Sequence, residues 1–144
     1  MAGPTTPPQL SPDYDEETAK VYVEGLGDKV LPRAEWFFKY LIGGRITAED
    51  EDEEAHGIDS QQLADNLDLD SPRQISAALT NSLKRRAKKL GLPYPWIQVH
   101  GQNGRTVWIA KDEEMATRVH SAIRTERYRR QLPDLYGDDD WKVG

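Results

Sequence analysis

One predicted helix constrains the fold of this chain most, because residues that favour a helix start and a helix stop mark its two ends. Ser71 is a suitable N-cap, and Pro72 fits the first helical position, where its missing N–H costs no hydrogen bond. At the other end, Gly91 suits the position after a helix and Pro93 prevents its continuation. The sequence therefore predicts a single helix over residues 72–90.

This helix is predicted to have one apolar and one polar face. With each residue placed about 100° on from the last, the large apolar side chains fall within one arc. They are Ile75, Leu79, Leu83 and Leu90. The opposite face combines small residues with amides and cations, namely Arg73, Gln74, Ala77, Thr80, Asn81, Lys84 and Lys88. Such a face can approach a groove of DNA closely and donate hydrogen bonds to it. A solvated amphipathic helix is the alternative interpretation.

The neighbouring segments complete an ordered set of elements. Residues 58–67 open with an Asx/Ser cap and space their apolar residues for a helix, and a short turn follows at 68–70. Residues 96–100 and 106–110 are rich in β-branched and aromatic residues and flank an Asn-Gly turn signal. The order is therefore helix, turn, second helix and β-hairpin.

These residues also suggest roles in binding DNA. Arg pairs with guanine and Asn or Gln with adenine, so Arg73, Gln74 and Asn81 are the candidates for base contacts. The candidates for phosphate contacts are Lys84, Arg85 and Lys88. The hairpin tip adds three polar or cationic side chains that can reach phosphate or the minor groove, Gln102, Asn103 and Arg105.

From about residue 21 to residue 120 the chain resembles the winged helix-turn-helix domains of bacterial regulators, and it is similar to a group of small actinobacterial winged-helix proteins. The stretches that carry the resemblance are RAEWFFKYLIGGRIT (33–47), IDSQQLADNLDL (58–69), SPRQISAALTNSLKRRAKKLGLPYPW (71–96) and GRTVWIA (104–110). The resemblance implies a winged-helix fold with the second helix in a major groove. The chain departs from the pattern at AEDEDEEAHG (48–57), which brings negative charge near the presumed DNA-facing side.

Three further elements complete the predicted core. Residues 29–42 have the apolar density of a first helix, and Arg45-Ile46-Thr47 is a candidate strand for the hairpin's sheet. Residues 15–26 predict an extra helix, with a strand as the alternative because Val21 and Val23 alternate. Asp112 is expected to cap a C-terminal helix with an apolar stripe from Met115 to Ile123. The arginines of this helix are either solvated, or contact phosphate, or contribute to a dimer interface.

Charge is divided unevenly along the chain. The net charge is −6, but residues 71–130 contain 13 Lys/Arg against 4 Asp/Glu, whereas residues 1–70 contain 5 against 17. Charges more than about 8 Å away are largely screened at physiological ionic strength, so the local field decides phosphate binding. A basic middle segment between acidic ends can therefore still bind DNA.

The order of elements predicts a mainly α domain with a small β-hairpin (α+β), and length and composition agree with one small domain. We expect a disordered leader at 1–13, a domain at 14–131 with an acidic loop at 48–57, and an acidic tail at 132–144. The absence of cysteine excludes disulfides and fits a reducing cytosol, and no apolar run is long enough to span a bilayer. The expected location is the cytoplasm, in association with the nucleoid.

No pattern of catalytic or metal-binding residues is present. The three histidines lie far apart, and the carboxylates at 50–54 lack the glycine that a calcium loop requires. We therefore expect no enzyme activity, no metal and no cofactor. The predicted function is sequence-specific binding of double-stranded DNA by a transcriptional regulator or DNA-maintenance factor, with a homodimer as a possible assembly. The alternative is a winged-helix module for protein contacts, whose acidic loop or tail binds a protein partner.

Overall fold

The computed structural model describes residues 10–47, 54–100 and 106–133. The elements in chain order are α1 (Glu16–Glu24), α2 (Val30–Gly43), β1 (Arg45–Thr47), β2 (Glu54–Asp59), α3 (Ser60–Asn66), a helical segment from Pro72 to Leu90 that ends in α4 (Asn81–Leu90), β3 (Trp96–His100), β4 (Thr106–Ala110) and α5 (Glu113–Arg129). The described part is mainly helical with a small antiparallel sheet, which confirms the predicted α+β class.

Three helices begin at aspartates, as their sequences predict. Asp15 accepts a hydrogen bond from the Thr18 amide, and Asp112 accepts from the amides of Glu114 and Met115. At α3, Asp59 accepts from the Gln62 amide. Each carboxylate satisfies a backbone donor that the helix itself leaves unpaired. The helical interpretation of the first of these segments is thereby confirmed over the strand alternative.

The helices enclose one core. α5 packs against both α1 and α2, and its apolar stripe, represented by Met115, Val119 and Ile123, is buried. Tyr22 on α1 and Phe37 on α2 are fully buried in the same cluster. The apolar stripe of α5 and the apolar side of α1 are therefore used inside the domain and are not available as a dimer surface.

The strands are joined in the order β1-β2-β4-β3. β3 and β4 form the predicted hairpin, with Trp96 opposite Ala110. β1 does not pair with the hairpin directly, because β2 lies between them and pairs with β1 along its first half and with β4 along its second. β2 covers residues 54–59, so the predicted acidic loop at 48–57 is wrong for its last four residues, which are strand.

Both boundaries of the predicted domain lie inside ordered structure. Leu10 and Leu132 pack against the core, and the Ser11 amide donates to Thr18 Oγ1 at 2.8 Å. Residues 10–13 of the predicted leader are thus part of the described fold. The rest of the leader, residues 48–53 and the tail from residue 134 lie outside the described residues, so their predicted disorder stays a prediction.

The arginines of α5 have structural partners within the domain. Arg127 is buried and forms two hydrogen bonds with Glu35 of α2, at 2.6 and 3.3 Å. Arg118 donates to the carbonyl oxygens of Tyr14 and Asp13, and Arg130 donates to that of Leu26. Because these guanidinium groups hold distant parts of the chain together, the interpretation of this set as phosphate or dimer contacts is not favoured.

Among the described residues, none of the helices is long and apolar enough to cross a membrane.

Candidate nucleic-acid interface

The helical segment 72–90 is not one uniform α-helix. It begins with a 3-10 turn at Pro72–Gln74, continues through a π-helical turn at Ser76–Thr80 and becomes α-helical only in α4. Ser71 has the extended backbone of an N-cap, but its side chain makes no capping hydrogen bond, which corrects the predicted cap. The predicted end is confirmed, because Gly91 adopts the left-handed conformation with φ 72°.

A side chain of α2 contacts the π turn. Arg33 of α2 donates from Nη1 to the carbonyl oxygen of Ala78 at 3.1 Å, inside the wide turn. A side-chain donor that enters the hydrogen-bond ladder of a helix is a recognised cause of local distortion of that helix. Since a π turn holds more residues than an α turn, each residue advances around the axis by less than about 100°.

The helical segment does not expose all of its predicted candidates. Thr80, predicted to lie on the exposed face, is buried at 2% exposure, because it lies three residues before Leu83 and seven before Ala87 and so shares the side of the helix on which they are buried. Thr80 is therefore removed from the candidate binding residues. Of the other helix candidates, Lys84 is half-buried and the following are exposed: Arg73, Gln74, Ala77, Asn81, Arg85 and Lys88.

The exposed face is positioned by hydrogen bonds to α1. The buried hydroxyl of Tyr22 donates to the carbonyl oxygen of Leu83 at 2.9 Å. Burial raises the pKa of that hydroxyl well above its ordinary value, so it stays a neutral donor. Arg86 donates in the opposite direction, to the carbonyl oxygens of Val21 and Tyr22 at 2.7 and 3.1 Å. These bonds fix α4 against the core from its apolar side and leave the other side free to contact a ligand.

Local contacts order two of the candidates. The Gln74 side-chain oxygen accepts from the Asp70 amide at 2.9 Å, which leaves the amide nitrogen to donate outward. The guanidinium of Arg85 lies along α4, with Nε 3.4 Å from the Asn81 carbonyl oxygen. The sequence predicts only a phosphate contact for Arg85. In the structure Arg85 lies at the centre of the exposed face, beside Asn81 and Lys88.

An aromatic residue next to this face was missed. Lys84 Nζ lies 5.8 Å from the ring centre of Tyr94, and Tyr94 stacks on Trp96 at 5.4 Å. Tyr94 and Ile97 are the large apolar residues that remain exposed in the described structure, at 39% and 45%. The signal in the sequence is the tyrosine between Pro93 and Pro95, where both prolines forbid a helix and bring the ring back beside α4.

The electrostatics of the face are one-sided. Within residues 10–47, 54–100 and 106–133, no ion pair involves Arg73, Lys84, Arg85 or Lys88. The carboxylates that form ion pairs lie elsewhere, as for Glu35 of α2 with Arg127 and for Glu126 with Arg129 and Arg130. The cations of the helical segment are thus not neutralised by the described part of the protein.

The hairpin lies directly after this segment, with β3 and β4 paired along five residues each. The predicted tip residues Gln102, Asn103 and Arg105 lie outside the described residues. Elsewhere in the described chain, no cluster of three or more histidine or carboxylate side chains is arranged to hold a metal ion.

Comparisons with protein-family models, with characterised proteins and with solved structures return no match. The geometry and charge of this face are therefore the basis for proposing a function.

Proposed function

We propose that this protein is a winged helix-turn-helix protein that binds double-stranded DNA, with the segment 72–90 in a major groove and the hairpin 96–110 against the backbone or minor groove. The observation that carries the proposal is the exposed face of Asn81, Arg85 and Lys88, whose cations have no ion-pair partner in the described structure. α3, the helical segment and the hairpin follow in the order that such a domain requires.

The side chains of this face can contact bases and phosphates at the same time. Asn81 can form paired hydrogen bonds to adenine, while Arg85 and Lys88 on the adjoining turn can contact phosphates on either side. Ala77 lies one turn earlier and is exposed, so the backbone can approach a groove closely there. A role as a regulator or DNA-maintenance factor follows from sequence-specific binding of this kind.

Binding to a duplex of mixed sequence, measured by fluorescence anisotropy over a salt series, tests the electrostatic half of the proposal. Lys88→Gln is expected to lower affinity and to reduce the salt slope by about one phosphate contact. Lys20→Gln is the matched control, because it removes the same charge from an exposed position on α1. Absence of binding, or equal effects of both substitutions, would contradict the proposal.

Sequence preference requires a separate measurement. A site selected from random duplexes should bind Asn81→Ala more weakly than wild type by about 1–3 kcal/mol, while unselected DNA should bind both proteins alike. Equal losses on both DNAs would show that Asn81 does not contribute to specificity.

A second candidate is a protein-binding winged helix, which the exposed side chains of Tyr94 and Ile97 favour. Aromatic and aliphatic side chains are typical anchors of protein interfaces. If mixed-sequence DNA fails to bind at low salt, this candidate replaces the first. The acidic loop and tail that would meet such a partner lie outside the described residues.

A further inference from the structure

A hollow of about 310 Å³ lies on the opposite edge of α4 from Lys84. The turn at 25–27 and Val30 form one wall, and the other wall consists of Ser82, Arg85, Arg86 and Lys89. Small-molecule sites begin at about 300 Å³, so the hollow can hold a phosphate group with part of the molecule that carries it.

The turn in the first wall brings no negative charge to the hollow. Asp28 accepts a hydrogen bond from Arg130 at 3.0 Å, so its carboxylate is directed to α5. Glu24 lines a different groove, between α1 and α5. Arg85, Arg86 and Lys89 therefore surround the hollow without an acidic partner among the described residues.

Arg86 is held in place before any ligand arrives. Its Nε and Nη2 donate to the carbonyl oxygens of Tyr22 and Val21, and its Nη1 has no acceptor in the described structure. The guanidinium lies so close to Gly25 that a Cβ there would overlap its Cζ and Nη1 atoms. A positioned guanidinium with a remaining donor, a serine hydroxyl and two exposed cations form a donor set that matches phosphate oxygens.

We propose that this hollow is a phosphate-binding site that shares Arg85 with the exposed face of α4. The phosphate can belong to a free phosphate-bearing small molecule or to the backbone of a bound duplex, and only the second source depends on the proposed function. Lys88 and Lys89 are neighbours on one helical turn, yet only Lys89 lines the hollow. Substituting each of these two lysines in turn therefore distinguishes binding in the hollow from general attraction to the positive charge of α4.

The test is a titration of the full chain with inorganic phosphate at constant ionic strength, followed by two-dimensional amide NMR. Saturable shifts are expected for the amides of Gly25, Gly27 and Ser82. Lys89→Gln should weaken phosphate binding about tenfold, which corresponds to one charge-assisted hydrogen bond, whereas Lys88→Gln should leave it within about twofold. Lack of saturable shifts, or equal weakening by both substitutions, overturns the proposal.

A second arm identifies the source of the phosphate. If the duplex backbone occupies the hollow, Lys89→Gln reduces the salt slope of DNA binding by about one contact, and saturating phosphate weakens DNA binding. If a free phosphate compound is the ligand, Lys89→Gln affects DNA no more than the Lys20→Gln control. The NMR arm requires no DNA, so a failure of the proposed function is distinguishable from a failure of this site.

Discussion

Loss of the buried ion pair between α2 and α5 should destabilise the protein far more than loss of an exposed charge on the same helix. Arg127 has 1% and Glu35 10% of its side chain exposed, and the guanidinium also donates to the Leu132 carbonyl oxygen. Arg127→Met leaves a carboxylate without its partner, and removing one member of a buried pair costs about 3–5 kcal/mol. Because water still reaches a tenth of Glu35, we expect about 3 kcal/mol.

Urea unfolding followed by circular dichroism measures this loss, and with slopes of about 1–3 kcal/mol per molar the midpoint should fall by about 1–3 M. Arg124→Met is the matched control on the same helix, because Arg124 is exposed and its loss should cost less than about 1 kcal/mol. The double variant Glu35→Leu with Arg127→Met should be more stable than Arg127→Met alone, since no buried charge remains. A loss below about 1 kcal/mol for Arg127→Met, or additive losses in the double variant, would refute this reasoning.

Three further changes test other features of the fold. Gly44→Ala should cost about 1–3 kcal/mol in urea unfolding, because its Cβ would overlap the backbone oxygens of Gly57 and Tyr40, whereas Gly43→Ala meets open space and should gain about 0.4–1 kcal/mol. The side-chain hydrogen bond from Arg129 lowers the pKa of Glu126 from 4.5 to about 2, so its stabilising effect is complete above about pH 4.5 and is lost as the pH falls through about 2. The difference in unfolding free energy between wild type and Glu126→Gln should therefore shrink over that window in an acid titration, and a constant difference would contradict the assignment. Deleting Ala77 removes the extra residue of the π turn and lets the segment close as an α-helix with Ile75 still in phase with the buried stripe, so the free energy of unfolding should change by less than about 1 kcal/mol, and a loss of about 3 kcal/mol or more would contradict this account of the turn.

Features that depend on adjacent residues could be predicted from the sequence. The capping aspartates at 15, 59 and 112 act within three residues of their own position, so the local pattern contains the whole interaction. The apolar stripe of α5 was also predicted correctly, because a helix repeats its buried positions at a fixed period.

Features that depend on residues distant in the chain could not be predicted from the sequence. β2 has an acidic start and a central glycine, and it is a strand because β1 and β4 pair with it on its two sides. The π turn contains a contact from Arg33, 45 residues before the carbonyl that it binds.

The contacts between α1 and α5 have a consequence for synthesis of the chain. Arg118 and Arg130 of the last helix bind carbonyl oxygens that lie about one hundred residues earlier, at Tyr14 and Leu26. A nascent chain emerges from the ribosome at about 5–20 residues per second, so α1 waits several seconds for its partner helix. During that interval the buried side of α1 has no complete surface to pack against. A chaperone that recognises exposed apolar helices would therefore bind α1 while the rest of the chain is being synthesised. It would release α1 when α5 emerges and covers the apolar side of that helix.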